Sequence, residues 1–140
     1  LAPRLGVRET TRIVGKHVVT ENDLRSGVLP TDTIAVGTYG LDLWGQTLSS
    51  RETRTPMYGI PYRALVPAEV DGLLLAGKAI SGTHIAMSAY RVMPIMGSVG
   101  QSAGIAAALC AARGDSPNNI DPEDVRSIAR SPSQNMDIGR

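Results

Sequence analysis

The sequence predicts a mixed α/β fold, and three observations carry that prediction. Residues 95–112, "IMGSVGQSAGIAAALCAA", run without a charge directly after Pro94 and are long enough for one extended helix. Two short apolar stretches, "IPYRALVP" (60–67) and "GLLLAG" (72–77), are bounded by Pro and Gly and read as strands. Polar residues with helix-capping spacing appear at Thr20 and at Asp121, which marks two further short helices. The 140 residues, with 42% hydrophobic content and a net charge of +1, suit a single globular unit. That charge provides no electrostatic pull toward nucleic acid or anionic lipid, so neither is expected as a partner. There is no Phe, so the core must be built from aliphatic residues and Met, with Trp44 and four Tyr as the large plates. Such a core is thin for an independent domain.

In chain order, "GVRETTRIVG" (6–15) alternates Val7, Glu9, Thr11 and Ile13 and predicts a strand. In "TENDLRSG" (20–27), Thr20 is the cap, Asp23 stands at the capping-box position and Gly27 is the stop, giving a short helix. Residues 28–60 are weakly patterned: "TDTIAVGTYGLDLWG" accommodates one strand, and "QTLSSRETRTPMYG" reads as polar loop with Pro56 and Gly59 as breakers. "GLLLAG" is a continuous apolar run, as in a strand covered on both faces. After the long helix, "GDSPNN" reads as a linker, Asp121 caps a helix with Pro122 at its first position, and "SPSQNMDIGR" reads as a disordered tail. No internal repeat is present.

The long helix makes the strongest demand. Each interior Gly costs about 1 kcal/mol relative to Ala, and a helix uncharged on every side has no face suited to water. Burial all round is therefore expected. Gly97, Gly100 and Gly104 fall at spacings of three and four, so they share one face that a backbone or ligand can approach closely. The remaining residues are too few to enclose the rod, and the missing wall is expected from another domain or chain. A membrane span meets the same length criterion, and Gly100 and Gly104 form a GxxxG pair. The Gly, Ser and Gln content and the lack of an aromatic belt beyond Tyr90 weigh against it.

With Pro94 as first helical residue, the cap is Met93, which has no side-chain oxygen for the N–H groups of Ile95, Met96 and Gly97. Those donors take an anionic ligand, or else water or a neighbouring loop. Motifs of other chemistries are missing: no CxxC, HExxH, Walker A or GxSxG, and only two histidines, so no metal site is expected. The single Cys110 can make no internal disulfide and favours a reducing compartment, the cytoplasm. The chain opens on Leu1 and not on Met, which reads as the edge of a fragment or processed chain.

The succession "LGVRETTRIVGKHVVTENDL", "IPYRALVP" and "VDGLLLAGKAISGTHIAMSAYRVMPIMGSVGQSAGIAAAL" resembles the C-terminal portion of bacterial FAD-dependent oxidoreductases of the glutathione reductase and fumarate reductase superfamily. The resemblance covers roughly residues 1–113 and rests on several motifs in order. It implies that residues 1–66 belong to a substrate or cap domain, 67–114 supply the last strand, loop and flavin-facing helix of the FAD domain, and 115–140 form a short helix and tail. The GxGxxG unit that grips the ADP half of FAD does not occur in these residues. The partner implied is therefore the N-terminal FAD-binding portion of the same protein or another chain, with the oligomeric state left open.

The resemblance also implies site residues. Pro94, Ile95, Met96 and Gly97 would face the flavin, whose reduced form carries negative charge that helix N–H groups favour. Gly77 and Lys78 would lie along the ribityl chain, although relatives often carry an acidic residue where this chain has Lys78. Arg91 matches an arginine that precedes the flavin-facing helix and holds a substrate carboxylate, and a guanidinium suits two-point clamping of such a group. His84 could exchange a proton during hydride transfer, since histidine ordinarily titrates near neutrality. The bland alternatives are a loop histidine bonded to backbone and an arginine tied to an acid such as Asp71. Strand spacing places Arg8 and Arg12 on one face and Glu9 on the other, consistent with structural ion pairing. Tyr62 and Arg63 could face substrate, or Tyr62 could be core. Trp44 stands where relatives would carry a His, and His17 is expected to be exposed without a role. The function expected is a fragment or subunit that completes the active-site wall of an FAD-dependent oxidoreductase, the isolated chain being inactive. The alternative is a noncatalytic module that associates with a flavin-binding partner.

Overall fold

The computed structural model describes residues 9, 11–47 and 49–131. It is an α/β arrangement of short helices and one antiparallel strand pair against a long helix, as the sequence predicts. Residues 11–15 are extended but form no strand of their own. Gly15 bridges Pro67, the Lys16 N–H donates to the Val66 carbonyl at 2.9 Å, and the Ala68 N–H donates to the Val14 carbonyl at 3.0 Å. Most of the remainder of the predicted 6–15 strand lies outside the described residues.

Helix α1 (Glu21–Ser26) forms as its capping box requires. The Asp23 N–H donates to Thr20 Oγ1 at 3.3 Å, the Thr20 N–H donates back to the Asp23 carboxylate at 2.7 Å, and Gly27 ends the helix at φ 66°. Strand β1 (Thr33–Gly37) pairs antiparallel with β2 (Tyr58–Pro61) in the register Ala35 to Ile60 and Gly37 to Tyr58, with an irregularity between Thr33 and Ala35. A Cβ on Gly37 would lie 2.5 Å from the Tyr58 ring, so that pair requires glycine. Gly59, expected as a breaker, sits within β2. The stretch read as polar loop holds a helical turn, α2 (Ser50–Thr53), with a capping box between Ser49 and Glu52.

Two predicted strands are corrected. "IPYRALVP" is strand only to Pro61 and then turns into a 3-10 segment, Tyr62–Ala64. "GLLLAG" is not a strand. Its Leu75 N–H donates to the Leu65 carbonyl at 2.7 Å, and the chain then enters a 3-10 turn, Gly77–Ala79. A continuous apolar run becomes a central strand only with neighbours on both edges, and among the described residues the sole sheet is the β1–β2 pair.

Helix α3 (His84–Tyr90) follows, capped by Thr83, whose Oγ1 accepts the Ala86 N–H at 3.2 Å. After Arg91 and Val92 comes α4 (Met93–Arg113), closed by Gly114 at φ 63°. Helix α4 packs one face on β1 and on α5 (Pro122–Arg130), burying Ile95, Val99, Ser102, Ala103 and Ala106. The Ser102 hydroxyl donates to the Ile34 carbonyl at 3.0 Å. Burial on all sides, as expected from sequence, does not occur within this chain: Gly97, Gln101, Gly104, Ala107, Ala108 and Ala111 are exposed. Helix α4 is long and apolar enough to cross a membrane, but here one face belongs to the core.

The "GDSPNN" linker is ordered, with Pro117 buried and its carbonyl accepting the Tyr62 hydroxyl at 2.9 Å. Asp121 and Pro122 start α5 as predicted, Asp121 accepting the Glu123 N–H at 2.8 Å. Residues 132–140 of the predicted tail lie outside the described residues. The core joins Val19, Leu24, Ile60, Leu65, Ile80, Met87, Tyr58 and Tyr90.

Candidate active site

Helix α3 positions the two residues singled out for chemistry. His84 is its first residue, Ser88 follows one turn later and Arg91 closes it, so spacings of four and seven place all three on one face. They line a cavity of about 560 Å³ together with Glu9, Asp42, Leu43 and Trp44. Ala86, Met87, Ser88, Ala89 and Tyr90 are buried, which fixes the helix against the core.

The Glu9 carboxylate bridges His84 Nδ1 through one oxygen and Arg12 Nη1 through the other. Burial acts to raise the Glu9 pKa, but the hydrogen bonds and charges of Arg12 and His84 outweigh it and hold the carboxyl below the ordinary glutamate range. An ionised carboxylate only accepts hydrogen bonds, so Nδ1 of His84 is the donor in this contact. The His84 side chain is 61% exposed and lines the cavity. Glu9 was expected on the strand face away from Arg12. That is corrected: the two side chains meet in an ion pair. Arg8 lies outside the described residues.

Arg91 is only 12% exposed at its side chain. Its Nη2 donates to the Asp42 carbonyl at 2.8 Å and lies 3.4 Å from the Asp42 carboxylate. The acid facing it is therefore Asp42 and not Asp71, which accepts from Asn118 Nδ2 at 2.6 Å. Asp42 is pinned in turn, its N–H donating to the Ser88 hydroxyl at 3.2 Å. At 3.4 Å the carboxylate contact is weak, and a guanidinium has five N–H donors, so Arg91 keeps capacity for an incoming anion. Trp44, 77% exposed, forms part of the cavity wall.

The other candidates separate from this cluster. Tyr62 is core, with burial pushing its hydroxyl up to about 12. Arg63 pairs with Asp32 through Nε at 2.9 Å. Neither lines the cavity. His17 is half-buried and not exposed as expected, its Nε2 lying 3.3 Å from the Asp23 carboxylate. A second hollow of about 510 Å³, between β1, α4 and α5, contains Arg126, but that guanidinium is committed to the Thr31 and Thr33 carbonyls and to Glu123. Among the described residues no group of His, Cys, Asp and Glu could hold a metal ion.

The start of α4 follows Arg91 by two residues and differs by one position from the sequence expectation. The helix begins at Met93, with Pro94 second and Val92 as a cap that makes no side-chain bond. The Met96 N–H, expected to be uncapped, donates to the Val92 carbonyl at 3.0 Å. Gly97, one residue further in, falls within the regular helical ladder. The N–H groups without an intrahelical acceptor are those of Met93 and Ile95. Met93 is 88% exposed and Pro94 is exposed. Among the described residues a Cβ on Gly97, Gly100 or Gly104 would meet nothing within 4 Å, and the same holds for Gly77, at φ 59° in the 3-10 turn that packs beside α4. Lys78 is exposed in the same turn.

A family model described as FAD dependent oxidoreductase matches residues 1–128. This chain belongs to that family. No curated protein and no solved structure matches it. Membership carries a flavin oxidoreductase-related function and implies FAD. The exposed side of α4 fits such a group: two backbone donors at its start, three glycines along one face and the open Gly77 leave room for a flat, anionic ligand to approach backbone.

Proposed function

We propose that these residues form the C-terminal part of a glutathione reductase and fumarate reductase-like flavoenzyme, and that the cavity on α3 is its substrate site. The observation that carries the reading is the convergence of His84, Arg91, Glu9 and Asp42 in one cavity two residues from the open start of α4. Pro94, Ile95 and Gly97, with Gly77 and Lys78 beside them, would hold the flavin side of FAD. The ADP half would be gripped by a region beyond these 140 residues or by a partner chain, since no GxGxxG occurs here. Residues 1–66 would contribute to the cap over substrate, and 67–114 to the FAD domain. The cytoplasm is the proposed compartment.

FAD, when bound, supplies two-electron chemistry as a hydride acceptor or donor. The chain's own residues bind, orient and move a proton. Arg91 would receive a substrate carboxylate, its weak contact with Asp42 giving way to a charge-assisted pair. Nε2 of His84 would take or return the proton of the reacting group. The low exposure of the Arg91 side chain limits water around the clamped end and strengthens that pair.

The test is the visible absorption of the purified chain, alone with FAD and then together with the FAD-binding region. A flavin spectrum that appears only with that region, followed by loss of turnover of carboxylate substrates in Arg91→Ala and His84→Ala, is expected. Failure of the complete protein to retain flavin would refute the proposal.

A further inference from the structure

The geometry points to Glu9 as a positioning residue that fixes the tautomer of His84, so that its Nε2 lone pair and not an N–H is presented to the cavity. The inference deepens the reading of this cavity as a substrate site. It concerns a residue that sequence spacing assigned to structural ion pairing alone.

Three observations carry it. First, Glu9 reaches His84 across 75 positions of sequence and bonds Nδ1, the ring nitrogen nearer the α3 backbone. Second, Arg12 occupies the other Glu9 oxygen and itself lies 3.2 Å from Met87 Sδ on the buried side of α3, so the carboxylate is braced from the core side. Third, the charged groups lining the cavity are Glu9, Asp42 and Arg91, with Arg12 behind Glu9, and among these only Glu9 bonds the imidazole. A free imidazole prefers the proton on Nε2, which would turn a donor toward substrate. A carboxylate at Nδ1 reverses that preference and leaves Nε2 as the acceptor, the arrangement a general base needs. When Nε2 takes a proton from a substrate X–H, the bonding pair stays on X and an imidazolium forms. Glu9 stabilises that cation without taking its proton.

The chain contains its own control. The only other histidine, His17, meets Asp23 through Nε2, so its neutral form carries the proton on the opposite nitrogen. Nitrogen-15 NMR of the imidazole rings, recorded above both titration midpoints and without flavin, reads the two tautomers side by side. A His84→Asn variant assigns the signals. The expected result is protonated Nδ1 for His84 and protonated Nε2 for His17. Glu9→Ala and Glu9→Leu, which offer no acceptor, should move the His84 proton to Nε2 and leave His17 unchanged. Glu9→Gln, whose amide oxygen still accepts, should keep it on Nδ1. An Nε2–H tautomer for His84 in the unmodified chain overturns the inference with no variant needed. So does an Nδ1–H tautomer that persists in a folded Glu9→Ala or Glu9→Leu chain, with the His17 signal reporting the fold. Because flavin is not present, failure here leaves the FAD assignment standing, and failure of flavin retention leaves this result unaffected.

Discussion

Replacing Gly97, Gly100 and Gly104 together by alanine separates what the chain needs from what its partner needs. Among the described residues an added methyl at each position meets nothing within 4 Å, so no packing penalty from them opposes the change. Glycine in a helix interior is about 0.8–1.0 kcal/mol less favourable than alanine, and three independent positions sum to about 2.5–3 kcal/mol. For a chain of this size 1 kcal/mol moves the melting temperature by roughly 3–5 °C, so the triple variant should melt on the order of 10 °C higher. Circular dichroism at 222 nm on the 140-residue chain measures this directly. The same methyls stand on the face proposed to meet flavin and the adjoining FAD-binding region, where backbone must come close. Capture of FAD on mixing with that region should therefore weaken. The reasoning is refuted by an unchanged or lower melting temperature, which would mean the face is already in contact. It is equally refuted by a higher melting temperature with undiminished flavin capture, which would mean the glycines face solvent for no partner.

Arg91→Lys should raise KM for a carboxylate substrate at least ten-fold in the complete flavoenzyme with a smaller change in kcat, because an ammonium cannot reproduce the two-point clamp; equal KM values would remove Arg91 from the site. Gly82→Ala would place a methyl 2.2 Å from the buried Tyr90 hydroxyl and should cost about 1–3 kcal/mol in urea unfolding. Tyr90→Phe should be neutral or stabilise by up to about 1 kcal/mol, since among the described residues that hydroxyl has no hydrogen-bond partner and its burial raises its pKa. Asp32 is subject to burial, which raises its pKa, and to hydrogen bonds from the Arg63 side chain and N–H, which prevail and lower it below the ordinary 3.8. A carboxyl lowered on folding adds stability that is fully present above its unfolded value and is lost as pH falls through the folded one. The urea midpoint should therefore decline from about pH 4 downward, and Asp32→Asn should flatten that decline.

The parts of the fold that were legible in the sequence are those set by neighbours in the chain. The α1 capping box, the Asp121–Pro122 start of α5 and the glycine stops at Gly27 and Gly114 all act within a few residues. Helix α2 was legible too, since Ser49 and Glu52 have the same spacing as Thr20 and Asp23, but the surrounding polar residues masked it. Helix α3 had a comparable signal in Thr83 as cap. The "GLLLAG" run misled because hydrophobicity reports burial, and burial alone does not choose between strand and irregular chain without partners to pair with.

The sequence by itself determined the family, the small-residue helix and its glycine face, and His84 and Arg91 as the residues to watch, because motif order and helical spacing are properties of a linear string. Only the tertiary structure decided that Glu9 holds His84 across 75 positions, that Asp42 meets Arg91 across 49, and that α4 leaves one face outside the core of this chain. Those contacts depend on how loops close and elements pack, and side-chain spacing along the chain is silent on which distant loop arrives.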